Sequence, residues 1–513
     1  MNEEQYKQVC EACDSVLLSA NANLETIAIP WLHVIREHPS FLKDYEALYA
    51  SSSASRDTAK TIACKARHSA GWLRQAWRAL LSDGEPWKAS KPLDAPVDVL
   101  FVSHMLNDSD AGKNSDFYFG NLPEVLKAEG RRVVVALIDH SSRSNSSLVR
   151  SWDTNASTRV LLSGSLDFRG ELSVYRRLRR ESLRLAALSR MQTSGFMKRV
   201  LSFASLEAMS GRARTTLRMA VQIDRLVATI KPKMMILTYE GHAWERSAFA
   251  AARQALSSVQ CVGYQHAAIF RLQHGALRKL GALFDPDVIL TAGRVSKRQI
   301  EASIAARGIP VRVLGSSRAF VHSKGAEVAM FGAGNETADL LATTAGNVCL
   351  VLPEGIVSEC VILVEFCLSC AELMPEMHFI LRLHPLVTPE TLLRAIPRLM
   401  AAPANFELSQ AAVEDDIRRA SVALYRGSTA IVRAACSGVQ PVYLAQDREM
   451  TVDPLYELAD SRVSVISPSE FKAKMGGETT ALGAALRDRE AVVRYCEDFY
   501  SPLDSEVVQA ALR

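Results

Sequence analysis

The sequence lacks any run of about 18 apolar residues, the length that a membrane-spanning helix needs. Its opening, MNEEQYKQVCEACDSV, is acidic and has none of the basic-then-apolar layout of a signal peptide. Net charge is also small: +4 over 513 residues is too little to make nucleic acid the main partner. No GxGxxG opens the first strand–helix unit, which argues against a nicotinamide enzyme, and no Walker-type GxxxxGK[ST] is present. The ten cysteines are scattered. Cys10/Cys13 and Cys367/Cys370 have CxxC spacing, but both pairs lie in helix-like apolar sequence with no second pair at metal-site distance. They read as reduced, buried thiols, and no His/Cys cluster points to zinc. The expectation is a cytoplasmic globular protein whose partner is an anionic small ligand or a membrane surface.

What is present is a two-part alternation. At this length one core is too small, so two domains of about 200 residues are expected. Residues 1–94 are helix-like, with no convincing strand before residue 90 and a break expected at SSSASRDTAK (51–60). GEPWKASKPLDAP (84–96), with three prolines, reads as a linker. From 95 onward apolar strands alternate with helices: VDVLFVSH, RRVVVALIDH, KPKMMILTYEG, VQCVGYQH, DPDVILTAG and VRVLGSSR. An arginine-rich helical insertion spans 171–230. After the Gly-rich FGAGNE a second series begins: NVCLVLPEG, HFILRLHP, SVALYRG, VQPVYLA and RVSVIS. Continuous apolar strands between helices form parallel sheets covered on both faces. The pattern predicts two Rossmann-like α/β domains, 95–318 and 319–513, facing each other across a cleft.

Open parallel sheets bind ligands outside the carboxyl ends of their strands, so the strand ends give a census of the site. The first series offers His104, Tyr239-Glu240-Gly241 and Gln265-His266; the second offers Glu354-Gly355, Arg382, His384-Pro385 and Arg426-Gly427-Ser428-Thr429. Glu240, at a strand mouth in apolar sequence, is expected to have a raised pKa suited to proton abstraction, or to act as a nucleophile. Its structural alternative is a carboxylate at the start of the helix containing AWERSAFAAA, where Glu245 and Arg246 read as a helix-face pair. Ser428 and Thr429 stand where strand gives way to helix, with Gly427 admitting a ligand to the backbone and Arg426 adding charge. That reads as a phosphate cradle, against the alternative of an ordinary N-cap. His384 is a further phosphate donor, with Arg382 two residues earlier on the same strand face. The other His-Pro, in REHPS (36–40), is a weak signal, and the Asp-x-Asp of NDSD (107–110) is not expected to bind metal.

In order and spacing, TYEGHAWER, GYQHAAIF, LPEG, RLHPL, LYRGSTAIVRAACSGVQPVYL and DPL (453–455) resemble the motifs of bacterial GT-B sialyltransferases. They are similar above all to the GT-B 3-deoxy-manno-octulosonic acid (Kdo) transferases of capsule and O-antigen biosynthesis. The likeness covers about residues 97–460 and leaves the first 90 unexplained. Where the sialyltransferase motif has two acidic residues before its glycine, this chain has Tyr239 and Glu240. The resemblance implies a CMP-activated acidic sugar as donor, with no cofactor and no essential metal. It makes Glu240 the catalytic carboxylate, places His266 near the reacting centre, and gives the CMP phosphate to His384, Ser428 and Thr429. The acceptor would be a surface polysaccharide or glycolipid held by the first domain, with the nucleotide on the second. Rival readings are a CDP-alcohol polyol-phosphate transferase, a UDP-sugar epimerase on the same fold, and a scaffold without chemistry. The basic stretch RRLRRESLRLAALSR (176–190) reads as an amphipathic helix suited to anionic lipid, which would make the protein peripheral on the inner membrane, against the alternative of a solvated face of a helical bundle.

Overall fold

The computed structural model describes residues 1–49, 54–106, 113–140, 152, 156–319, 347–447, 449–476 and 489–512. NDSD and FGAGNE lie outside these residues.

The first sheet has eight strands in the order β1-β4-β3-β2-β5-β6-β7-β8. They are β1 (Trp87–Ala89), β2 (Val99–Met105), β3 (Val133–Asp139), β4 (Thr158–Leu162), β5 (Met234–Thr238), β6 (Gln260–Gln265), β7 (Val288–Thr291) and β8 (Val311–Val313). The second has six, in the order β11-β10-β9-β12-β13-β14: β9 (Val348–Leu352), β10 (His378–Leu381), β11 (Phe406–Leu408), β12 (Val422–Tyr425), β13 (Gln440–Leu444) and β14 (Val463–Val465). Every pairing is parallel except β1 with β4. The uninterrupted apolar runs follow from that: β5 and β13 are buried at every residue, because helices cover both sheet faces. The chain has two Rossmann-like domains, the GT-B architecture.

In each sheet the chain builds outward from one strand, then returns to build on its other side. The reversal falls between β2 and β5 in the first sheet and between β9 and β12 in the second. Register puts the ends level: Val102 pairs with Leu237, which pairs with Gly263, and Val351 pairs with Leu381 and Leu424. Such switch points open a crevice at the carboxyl edge.

Three strands escape the sequence pattern. β1 lies inside the stretch expected to be strand-free, as a short antiparallel edge on β4. β4 has Arg159 within its short apolar run, and β11 spans only three residues. The expected break at 51–60 falls where one helix, Pro39–Glu46, has ended and a 28-residue helix, Ala54–Leu81, begins. The first 49 residues pack closely on elements of the first domain. Tyr6 Oη donates to the Leu272 carbonyl at 2.8 Å, Arg278 meets Asp14 at 2.8 Å, and Gly275 N–H donates to the Ile35 carbonyl at 2.9 Å. The chain end also returns to the first sheet: Ser501 N–H donates to Ala292, Ser316 N–H to the Ser501 carbonyl, and Gln509 to Glu129.

The basic stretch 176–190 does not present an apolar face for lipid. It lies in the helix Phe168–Met191, whose Val174, Leu178 and Leu185 are buried against neighbouring helices. Its Arg176, Arg179, Arg180 and Arg190 line a solvated face, and Arg184 turns back onto the buried Glu181. No helix among the described residues is long and apolar enough to cross a membrane. All ten cysteines are free thiols, and nine are buried.

Candidate active site at the two switch points

The first-domain site is built around the end of β5. Tyr239 N–H still donates to the Tyr264 carbonyl at 2.8 Å, so the chain stays in the ladder until Glu240. There it turns through Gly241, whose φ of +85° and close contact exclude a side chain: a Cβ would sit 2.0 Å from the Gly275 backbone. Gly241 thus serves packing against that backbone, not substrate approach. The next helix, Ala243–Ala255, begins with a capping box. Glu245 accepts the N–H groups of Glu240 (2.9 Å), Gly241 (2.7 Å) and His242 (2.8 Å), fixing the whole turn. Burial and the Glu240 charge push its carboxyl up to about 7, against the pull of His242 and these donors. Glu245 and Arg246 are not a helix-face pair: Arg246 is fully buried on Asp285 and the carbonyls of Gly275 and Arg278.

This turn holds the Glu240 carboxylate a fifth exposed, with His266 Nε2 at 3.5 Å and His242 Nε2 at 3.8 Å. Burial works against its charge. The contact with His242, with the charges of His242 and Arg36, outweighs burial and holds the carboxyl well below the usual range. The expected raised pKa is therefore corrected. His242, with burial opposing, is raised by the same contact and by the charges of Glu245 and Glu240. His266 is the reverse: burial lowers it to about 4, and its ring lies 4.3 Å from that of Tyr118. A neutral His266 with its proton on Nε2 points a donor at Glu240. His104, ending β2, stacks on His140 and reaches Thr238 Oγ1 at 3.4 Å. The structure thus brings His104, Glu240 and His266 together, and adds His242 and Arg36.

The second-domain site gathers Glu354, His384 and Gly427–Thr429 at the adjacent ends of β9, β10 and β12. Glu354 is buried, and its Oε1 accepts a 2.7 Å hydrogen bond from His38 Nε2. Ser40 N–H donates to His38 Nδ1, which places the ring proton on Nε2. This is the His-Pro of REHPS, the motif read as a weak signal. Glu354 is therefore a closed contact between the N-terminal segment and the second domain, not an open donor ligand. Gly427 (φ +73°) also differs from expectation: a Cβ there would lie 2.7 Å from Glu354 Cδ, so the notch holds that carboxylate instead of admitting a ligand.

Both expected arginines turn away. Arg426 is 1% exposed; it binds Glu359 at 2.6 Å, Glu449, and the Leu444 carbonyl. With both sheet faces covered, its only route to satisfaction is inward. Arg382 is held by Asp416 (2.9 Å) and the Ala411 carbonyl (2.6 Å). His384 stays at the edge, packed on Gly355, with Nδ1 accepting the Leu386 N–H. Burial and the Arg318 charge lower its pKa despite Glu354. Thr429 starts the helix Ala430–Cys436 without a side-chain cap bond, so the N-cap alternative is not observed. Ser428 is buried beside it. The charge of Arg318 bears on His266 as well as on His384.

Sequence reasoning missed His38, His242, Arg36 and Arg318. His242 was two residues past Glu240 in TYEGHAWER; Arg36 and His38 lay in REHPS, and Arg318 closed VRVLGSSR.

No protein-family model and no curated protein matches the chain. Among solved structures it is similar to the glycotransferase of kitacinnamycin, at 14% identity and a TM-score of 0.45, covering 82% of this chain and 100% of that one. It is similar to the glycosyltransferase SnogD from Streptomyces nogalater, at 13% identity and 0.42, covering 82% and 100%. It is similar also to UDP-GlcNAc 2-epimerase from Neisseria meningitidis, at 12% identity and 0.41, covering 81% and 99%. At these values the likeness concerns the shape of the chain and says nothing of its reaction.

Proposed function

We propose that the protein is a glycosyltransferase that moves an acidic sugar from a CMP-sugar to a surface polysaccharide or glycolipid acceptor. The carrying observation is Glu240: a partly exposed carboxylate at a topological switch point, held ionised by the charges of His242 and Arg36, with His266 beside it. A carboxyl well below the usual range is a poor base at neutral pH but remains available as an anion. That favours a nucleophile. Glu240 attacks the anomeric carbon, the bond from that carbon to the phosphate oxygen breaks, and CMP leaves with the electron pair. An acceptor hydroxyl then displaces Glu240, which leaves as the free carboxylate, and the hydroxyl proton passes to water.

The donor assignment rests on the second-domain edge. His384, Ser428 and Thr429 supply imidazole and hydroxyl donors there, and Arg318 supplies a charge for a phosphate and a sugar carboxylate. Arg36 adds a second cation on the Glu240 side. These donors need no metal to hold a nucleotide monophosphate.

The test is a thermal-shift series with CMP, UDP, GDP and CDP in chelator. CMP at about 100 times its dissociation constant is expected to add roughly 2.7 kcal/mol. Stabilisation by UDP alone, or only with a divalent cation, overturns the donor and favours a UDP-sugar enzyme such as an epimerase. Stabilisation by CDP alone favours the polyol-phosphate reading.

A further inference from the structure

The helix Ala54–Leu81 has two unlike faces. One packs on the arginine-rich insertion. There Trp72 stacks on Tyr175 at 4.5 Å, Gln75 donates to the Gly164 carbonyl (3.1 Å) and to Glu171 (3.3 Å), and Ala79 is buried. Among the described residues the other face stays largely exposed. At about 100° per residue, Ile62, Ala66, Leu73, Trp77 and Leu80 fall in a stripe about 60° wide and about 27 Å long. Ile62 is 63% exposed, Leu73 66%, Trp77 64% and Leu80 60%, with Leu81 beside them at 71%. A continuous apolar ridge of this kind is uncommon on a water-facing surface.

Charge selects the partner. The stripe is bordered by Arg67, Arg74 and Arg78 on one side and by Lys65 on the other, all exposed. No carboxylate occurs in the sequence from 58 to 82. A second copy of this face would bring cationic borders together, which disfavours self-association. An anionic bilayer satisfies both parts: the aliphatic side chains enter the acyl boundary while the arginines and lysine stay among the phosphates. Trp77 lies at the margin between the two, the level that tryptophan favours in a bilayer.

We infer that the outer face of this helix is a docking surface for anionic lipid. It holds the protein in the membrane plane through a helix other than the basic stretch 176–190. The inference stands apart from the sugar-transfer reading, because no residue of the strand-end sites takes part.

The test is sedimentation of the full chain with phosphatidylcholine vesicles, with and without phosphatidylglycerol. Binding is expected only with the anionic lipid and should weaken with salt. Leu73→Glu/Trp77→Glu removes the stripe and Arg74→Glu/Arg78→Glu reverses its border. Each should lower binding at least about tenfold while the melting temperature holds. Arg176→Gln/Arg179→Gln/Arg180→Gln, on the solvated face of the neighbouring helix, should bind nearly as wild type. The inference is overturned by absence of vesicle binding, by wild-type binding of both stripe variants, or by a solution dimer that the Leu73→Glu/Trp77→Glu variant dissociates.

Discussion

Glu240 and Glu354 both stand beside a switch point, Glu240 after the returning strand β5 and Glu354 after the starting strand β9. Each follows the strand that flanks its sheet's topological switch point, and each faces a histidine. Their surroundings differ. Glu354 is buried, bonded to His38 at 2.7 Å, and seated in the notch that Gly427 leaves. Glu240 is a fifth exposed, and its histidines stand at 3.5 and 3.8 Å. A carboxylate at a strand mouth is therefore not yet a reactive group. The one that is buried and bonded to a histidine of another segment holds elements together. The one whose neighbours fix its charge without enclosing it keeps an oxygen for substrate.

The sharpest way to break this comparison is to strip each carboxylate of its partner. His38→Ala leaves Glu354 buried without its hydrogen bond and is expected to cost about 3 kcal/mol in chemical denaturation. An unchanged midpoint would mean that Glu354 is open to water and no different from Glu240.

The histidines around Glu240 give a pH signature. His266 titrates at about 4 in the folded protein against 6.5 for the free side chain. Between those values the unfolded chain binds the extra proton, so stability is complete above pH 6.5 and is lost as pH falls towards 4. The expected loss is about 3 kcal/mol, and His266→Gln should flatten it. Equal acid sensitivity in both proteins would show that His266 is not held neutral by burial.

Glu240→Gln keeps the shape and removes the charge; turnover should fall at least about 100-fold with little change in CMP affinity. Glu354→Gln, which keeps its bond to His38, should alter turnover far less. Comparable losses in the two variants would erase the distinction between them. The smallest effect belongs to Thr429→Ala. Because no cap bond is made, stability should change by less than about 0.5 kcal/mol, where losing a working N-cap costs about 1. Weaker CMP binding would then assign the hydroxyl to the donor.

Much of this was legible in the sequence. Long apolar strands separated by helices carry the two parallel sheets, and their polar ends bring His104, Glu240, His266 and His384 to the carboxyl edges. What the sequence hid is side-chain direction and long-range pairing. LYRGST shows an arginine beside two hydroxyls, but nothing local says that Arg426 turns to Glu359 on another element. His38 meets a partner 316 residues away, which no motif spacing reveals. The raised pKa expected for Glu240 failed for the same reason: burial was readable from its apolar neighbours, while the opposing contact with His242 depends on how the turn is capped. Short edge strands such as β1 are defined by pairing with β4 more than by their own residues.

The most direct measurement is intact-mass spectrometry of wild type and Glu240→Gln after incubation with a CMP-activated acidic sugar and no acceptor, with released CMP quantified in parallel. The account predicts a mass increment equal to one sugar on wild type, matched by CMP release, and neither in the variant. CMP release by Glu240→Gln at the wild-type rate would contradict it.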